Sequence, residues 1–495
     1  MVYDIAILGY GPTGATLANL LAIHGISVLV VDREADLYHL PRAVHFDDEV
    51  MRVFQTVGIA DDLAKRVRVN PGMKFVDEND TLLLDWPRPM DITSHGWHAS
   101  YRFHQPDLEG LLRTKLATKR TVDIVTDFDV SELTDAEDHV CLTGIARGAS
   151  TTTSCNARYL VGCDGAKSLT RRVIGSEMED LGFEERWLVV DLLLKRPRPE
   201  LGDHSVQFCH SDRPMTYCRG PGDRRRWEMT VKNNESDTEM TDPERIWQLL
   251  SHWITPEDAI LERSVVYTFH SKVAETWRRG RLMIAGDAAH LTPPFMGQGM
   301  CTGIRDAANL AWKLNACLEG ASERLLDTYQ AERAPHARVY VETAMRLGGL
   351  INALDRSSAL KLAEDQALGR AKMRSITPKL GPSPLSQFGQ SDHLGTTFGQ
   401  IDMGHGQHGF DAKIGFNHAI ISPKRPEVLP QNACWLSSKD HPALNKALSV
   451  LNAGAIWVRP DRYIGAVSDT TEGLLDQLFT FFDEKDHKRN ETCLP

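Results

Sequence analysis

No run of this chain approaches the ~20 consecutive apolar residues of a membrane-spanning helix, which excludes an integral helical membrane protein. Positive charge is not in surplus either. Lys and Arg total 56 against 67 Asp and Glu, a net charge of −11, and nucleic acid as a main partner is excluded because nothing would replace its counterions. The basic run Arg224–Arg226 is local, with a solvated or structural role. The nine cysteines are odd in number and show no CxxC spacing, so neither a disulfide framework nor dithiol chemistry is expected. Metal-ligand clusters are missing as well. His405 and His408 stand in a Gly/Pro-rich stretch without a nearby carboxylate or cysteine cluster, and no metal is expected. A strand begins by residue 3, leaving no room for a signal peptide, and the expected compartment is the cytoplasm. There is no internal repeat and no low-complexity block. Apolar and charged contents are those of a globular protein, and 495 residues exceed one core, giving roughly three domains.

What is present centres on residues 279–315, RGRLMIAGDAAHLTPPFMGQGMCTGIRDAANLAWKLN. The apolar run Leu282–Ala285 is a buried strand that ends at Gly286-Asp287, where the backbone can approach a ligand and a carboxylate is presented. After a Pro-Pro turn, Gly297-Gln298-Gly299 opens a helix with Ile304, Ala307, Ala308, Ala311 and Leu314 at helical spacing. A glycine-rich loop at a helix start receives negative charge, because unpaired N–H groups and the positive helix end point at it. Taken alone, this fits any α/β phosphate loop.

The amino terminus narrows that reading. YDIAILGYGPTG runs a strand into Gly9, Gly11 and Gly14. Gly9 serves the tight turn, Gly11 admits a pyrophosphate, and Gly14 lets helix and strand pack closely. The next strand, SVLVVDR, ends at Asp32, placed to accept from a ribose hydroxyl. Two such motifs ~300 residues apart imply a long dinucleotide held at both ends, namely FAD. Arg42, on the loop that returns past the expected pyrophosphate, is either a phosphate or flavin contact or a plain surface arginine.

Between these ends the pattern changes. Residues 73–103 alternate as antiparallel strands, and 121–163 hold several strands ending in YLVGCDGAKS, where Asp164-Gly165 closes a buried run. From 180 to 270 strands again predominate without βαβ alternation. Residues 321–375 are helical, 376–412 form a linker, and the tail carries AIWVRPDRYIGAV, a hairpin-like pair, and the helix GLLDQLFTFF. The fold class is therefore α/β, with an antiparallel sheet inserted into a dinucleotide-binding domain. The domains expected are 1–72 with 99–178 and 271–375, then 73–98 with 179–270, and finally 385–495.

The three motifs in order, GYGPTG, CDGAKS and GDAAHLTPPFMGQG, resemble the single-component flavoprotein aromatic hydroxylases of the para-hydroxybenzoate hydroxylase fold. PRAVHFDDE, RPMTYCRGPGDRRRWEM and VRPDRYIGAV are most similar to the 3-(3-hydroxyphenyl)propionate hydroxylase branch. The resemblance implies a Rossmann-type FAD domain, an inserted substrate sheet and a short thioredoxin-like carboxy-terminal domain that packs or dimerises. It implies FAD, NADH or NADPH as co-substrate, O2, and a small aromatic substrate hydroxylated through a flavin hydroperoxide. A larger polyketide or heteroaromatic substrate is the alternative. In the carry-over Gly9, Gly11, Pro12, Thr13, Gly14, Asp32 and Arg33 hold the ADP half, with Arg42 and Gln105 beside the cofactor. Asp164 takes the Asp-Gly role, Gly286 and Asp287 hold the ribityl chain, and Pro294 and Gly297, Gln298, Gly299 and Met300 lie by the flavin ring. Where the family has Glu, this chain has Asp32. A base is needed to ionise the phenol. His45 is the first choice because histidine titrates in the useful range, with Tyr217 and His210 as alternatives. Arg219 could pair with a carboxylate, and Pro294 also borders the substrate. Trp227 and Glu228 are expected to stabilise the sheet. A halogenase is disfavoured because WxWxIP is absent. A non-catalytic escort protein of the same fold is disfavoured because both the Gly-Asp and the Asp-Gly elements are kept. The family makes a homodimer possible.

Overall fold

The computed structural model describes residues 2–37, 42–353, 357, 361, 364–365, 376–387, 391–404, 406 and 408–482, without the side chains of 349–353 and 480–482. Its first sheet has five parallel strands at its centre. In space they run Val122–Val125, Val28–Val31, Val2–Leu8, Thr153–Gly162 and Leu282–Ile284. Numbered along the chain, that order is 3-2-1-4-5, the doubly wound arrangement. Val2–Leu8, Val28–Val31 and Leu282–Ile284 are near-continuous apolar runs, as parallel strands covered on both faces must be, and all of Val28–Val31 is buried. On one face the helix Pro12–Ile23 packs against Gly299–Leu318 and Gln105–Leu116. Strand order reverses between Val2–Leu8 and Thr153–Gly162, so a crevice opens at their carboxyl ends.

The second sheet has eight strands. Its order is His290–Leu291, Ala259–Ala274, Met178–Leu194, Arg224–Thr230, Met215–Arg219, Ser205–Phe208, Gly72–Val76 and Leu82–Pro87. Pairing is antiparallel as expected, except that Ser205–Phe208 lies parallel to Gly72–Val76. These two strands come from distant parts of the chain, so no hairpin forces them to run oppositely. One face packs a cluster containing Tyr217, Trp227, Leu188 and Val190 against the Pro243–Leu250 helix. The other face borders a cavity. A small sheet of Arg68–Val69, Ser100–Arg102 and His45–Asp47 lies beside it.

The carboxy-terminal sheet runs Ala433–Ser437, His418–Ser422, Ala455–Val458 and Ile464–Ser468. The first pair is parallel and the other two are antiparallel, and Pro442–Val450 and Thr471–Phe482 are its helices. The hairpin expected of the tail is the pair Ala455–Val458 and Ile464–Ser468, and the sheet order, 2-1-3-4 along the chain, is thioredoxin-like, as the resemblance implied. The parallel pair, however, is joined by the loop 423–432 where a crossover helix would ordinarily stand.

One expectation is corrected. The stretch 376–412 is not a bare linker: Phe398, Met403 and Phe410 are buried in the carboxy-terminal core, and Gly409–Ile414 is helical. Sparse apolar residues among glycines hid that packing. The expected helix at 321–375 is seen as Arg324–Ala353, with Pro335 inside it, and most of 354–375 lies outside the described residues. Buried ion pairs dock the tail on the domain of the parallel sheet. Asp411 takes both Arg52 and Arg462, and Arg459 grips Glu332 with two nitrogens at 2.9 and 3.0 Å.

Candidate active site

The crevice at the switch point is built of glycines that cannot be otherwise. Gly9 has φ +107°, and a Cβ there would lie 2.3 Å from the Cys163 carbonyl oxygen. At Gly14 a Cβ would meet the Gly9 oxygen at 2.0 Å, so helix and strand touch backbone to backbone. Gly11 differs, for its Cβ would meet nothing within 4 Å. Open space therefore stands before the Pro12–Ile23 helix, whose amino end no side chain caps. Thr13 is wedged between Gly286 and Gly303, its hydroxyl filling the room both glycines leave. It ties the first loop to the Gly-Asp loop.

Asp32 accepts the backbone N–H of Tyr10 and that of Glu34, which fixes it beside the glycine loop with lone pairs to spare. Arg33 lies on the surface, paired with Glu34 at 3.3 Å. Gln105 accepts from the backbone N–H groups of Arg42 and Ala43 at 2.9 and 2.8 Å, and Arg226 donates to the Arg42 carbonyl at 2.8 Å. Gln105 thus holds the loop carrying Arg42. Asp164 takes Ser168 on one oxygen and Thr170 on the other, so it organises the start of the Leu169–Ile174 helix. Asp287 opens onto the groove. Surrounding protein pushes its carboxyl above the ordinary range, against the pull of His290 and Arg42. Arg113, which no motif marks, lies 4.2 Å over the Tyr10 ring and donates to the Tyr10 carbonyl.

At the far end of the groove, Gln298 precedes the Gly299–Leu318 helix without a side-chain cap to its free N–H groups. A Cβ on Gly297 (φ +64°) would lie 2.8 Å from that of His45. Beyond this turn is a cavity of about 290 Å³ bordered by Pro294–Gly297, His45 and the inner face of the eight-stranded sheet. Phe295 roofs it, edge-on to Phe183 and Trp187. His45 is buried, with Nε2 at 2.8 Å from the Ser100 hydroxyl and Nδ1 at 3.4 Å from the Gly297 carbonyl. Ser100 in turn receives Asn70. Burial, then Arg88 and Arg102, push the His45 pKa down to about 3. The imidazole is neutral at pH 7 and lies outside the titration range expected of an ordinary histidine. Burial and Arg102 likewise bring Arg88 down to about 10. Glu228, also lining the cavity, is raised by burial against the pull of Arg226.

The structure separates the other substrate-side expectations from this cavity. Tyr217 points to the opposite face of its strand and packs on Trp227 at 4.8 Å, whereas its neighbours Thr216 and Cys218 line the cavity. His210 sits outside with Phe208 and Trp253, and Arg219 is engaged by Asp203 at 3.2 Å. Glu228 was expected only to support the sheet, yet it pairs across strands with Thr216 and shares its face. His290 bonds Asp306 at 2.7 Å, and His408 stacks on Trp97, while His405 lies outside the described residues. A second cavity, about 330 Å³, lies between Trp312 and the carboxy-terminal sheet and contains none of these groups.

Two unblocked helix starts, an open space at Gly11 and glycines where any Cβ would collide fit a flavin dinucleotide laid along the groove. The chain matches the family described as "FAD binding domain" over residues 2–344. It belongs to that family. Members similar to it include a probable NADH-specific resorcinol 4-hydroxylase of Rhodococcus jostii (strain RHA1). That enzyme is 38% identical, with 80% of this chain and 74% of the relative aligned. A 3-(3-hydroxy-phenyl)propionate/3-hydroxycinnamic acid hydroxylase of Mycolicibacterium gilvum (strain PYR-GCK) is 38% identical over 96% of this chain and 92% of its own. The solved aklavinone-11 hydroxylase, in complex with FAD and aklavinone, superposes with a TM-score of 0.80 at 20% identity, over 97% of this chain and 99% of that one. That likeness concerns the fold. This member of the FAD-binding family is an FAD-dependent aromatic monooxygenase that uses a nicotinamide co-substrate and O2.

Proposed function

We propose that the chain hydroxylates a single-ring phenol with NADH as reductant. The observation that carries this reading is the cavity itself. About 290 Å³ bordered by His45, Arg88, Arg102 and Glu228 suits one substituted ring, since an apolar void of roughly 150 Å³ already takes benzene. The two similar relatives carry names of enzymes for resorcinol and for 3-(3-hydroxyphenyl)propionate, both single-ring phenols, and the first is named as NADH-specific.

The bound flavin, once reduced, supplies the activated oxygen; the protein positions, shields and polarises. Gly9, Gly11 and Gly14 with the Pro12–Ile23 helix would hold the pyrophosphate, Asp32 the ribose, and Asp287 with Arg42 the middle of the cofactor. The start of the Gly299–Leu318 helix would face the ring. The positive field of Arg88 and Arg102 that keeps His45 unprotonated favours a phenolate by the same sign. His45 accepts the phenol proton under this reading. The phenolate's negative charge raises the imidazole pKa while it is bound, so the weak base of the empty cavity becomes adequate.

The test is consumption of NADH and NADPH by flavin-loaded protein over resorcinol, 3-(3-hydroxyphenyl)propionate and a polycyclic phenol, with hydrogen peroxide measured in parallel. Single-ring phenols should stimulate NADH oxidation with little peroxide. Stimulation by the polycyclic phenol alone, or electrons recovered wholly as peroxide, would overturn the substrate assignment.

A further inference from the structure

The carboxy-terminal domain reaches the flavin end of the groove through a chain of buried charged groups. Tyr463, on the turn between Ala455–Val458 and Ile464–Ser468, donates its hydroxyl to Glu49 Oε1 at 2.6 Å. Arg305 Nε meets the other Glu49 oxygen at 2.6 Å, and its Nη2 meets Asp47 at 2.6 Å. Gln298 closes the circuit: its Nε2 donates to Asp47 at 3.0 Å, and its Oε1 accepts from Arg305 Nη1 at 3.2 Å. Every member is buried, and Tyr463 is raised well above the ordinary phenol range by burial, so its hydroxyl stays a donor. Asp47 also caps the helix that carries Glu49, through the Val50 N–H. Two residues before Asp47 stands His45.

Within this circuit Asp47 and Glu49 share the one guanidinium of Arg305, while Arg88 acts on Asp47 and Arg333 on Tyr463 from outside it. A hydrogen bond to a buried carboxylate spreads its charge and weakens its pull on the shared guanidinium. Without the Tyr463 hydroxyl, Arg305 is drawn toward Glu49, Gln298 and Asp47 lose part of their partner, and the local field turns more negative.

We infer that Tyr463 is a positioning residue for the flavin reaction, by which the thioredoxin-like domain quiets Glu49 and holds Arg305 on Gln298 at the helix start. This rests on the reading above that the Gln298–Met300 turn faces the flavin ring. Reduction places negative charge on that ring, so a more negative surrounding opposes it.

The experiment is the reduction potential of the bound flavin in the full chain, by dye equilibration, with thermal melting alongside. Tyr463→Phe keeps the ring and removes the donor, and should move the potential to a more negative value. Glu49→Gln removes one charge and should move it the other way. In the E49Q background Y463F should shift it no further, because no carboxylate is left to quiet. Asp411→Asn breaks the neighbouring interdomain pair with Arg52, together with the Arg462 pair inside the carboxy-terminal domain, and leaves Glu49 untouched. It should lower the melting temperature and leave the potential at the wild-type value. A shift in D411N equal to that in Y463F, or an equal Y463F shift in both backgrounds, overturns the inference. If Y463F is too unstable to hold flavin, E49Q alone decides, and an unmoved potential there overturns it. A wild-type chain that takes up no flavin would overturn the cofactor reading and this inference together.

Discussion

His45 shows how a residue's surroundings change its chemistry. Its place on the strand His45–Asp47, packed on Gly297, brings it to the cavity, but burial and two guanidinium groups hold it unprotonated. If it accepts the phenol proton, His45→Ala should lower kcat by about 10²-fold at pH 7, the ordinary size of a lost general base. That loss should shrink as pH rises toward the phenol's own pKa of about 10, because the substrate then arrives ionised. A pH profile of product formation checks this, and a loss constant across pH would assign His45 to packing. Tyr217→Phe in the same series should leave kcat/KM unchanged, since that side chain lies behind the sheet. The position of His45 was legible in the chain because it flanks a motif. Glu228, Arg88, Arg102 and Gln207 were not, because they come from four separate segments that only tertiary packing brings to one cavity: Gln207 and Glu228 on the eight-stranded sheet, Arg102 on the small sheet and Arg88 just past a strand end. Alternation says that Tyr217 and Thr216 face oppositely; nothing local says which of them faces the cavity.

At the scale of the element, the strand–loop–helix at the amino terminus was read correctly because strand, glycines and helix follow one another in a short local pattern, even though Gly9 also meets the Cys163 carbonyl of a distant strand. The demands on the glycines are separable. A methyl at Gly14 would press on the Gly9 carbonyl at 2.0 Å, while one at Gly11 enters empty space. Gly14→Ala should therefore lose both flavin and stability, with about 1–3 kcal/mol of overpacking strain. Gly11→Ala should keep the stability of the flavin-free fold and still bind FAD weakly, because its methyl stands where the pyrophosphate approaches. Urea unfolding of the flavin-free variants, paired with the visible absorbance of the purified proteins, distinguishes the two. Equal destabilisation would show that the Gly11 space is filled by protein. The stretch 376–412 marks the opposite limit. Its composition is that of a loop, yet Phe398, Met403 and Phe410 anchor it, and three apolar residues without periodicity leave no pattern to read.

Across the whole molecule, stability is tied to groups whose titration the fold suppresses. His45 and His418 are both pushed from 6.5 to about 3, His418 by burial and then Arg459. For Asp47, Glu332 and Asp411 burial alone would raise the pKa, but the arginines around them win and bring each to about 2. In all five the folded value lies below the unfolded one, so the folded state binds fewer protons in between. Each favours the fold above its unfolded pKa and loses that contribution as pH falls toward the folded value. The windows differ. The histidines act from about pH 6.5 down to 3, each costing about 1.4 kcal/mol per pH unit, and the carboxylates act from about pH 4 down to 2. Acid should therefore weaken the protein in two stages, the first beginning while every carboxylate pair is intact. His418 accepts the Trp457 indole at 3.0 Å, a bond an amide can replace. His418→Gln should then reduce the slope of unfolding free energy between pH 6.5 and 4, and leave the lower stage as steep as before. Urea titrations at half-unit intervals of pH measure both slopes. An unchanged upper slope would mean that His418 is not kept neutral by the docked carboxy-terminal domain.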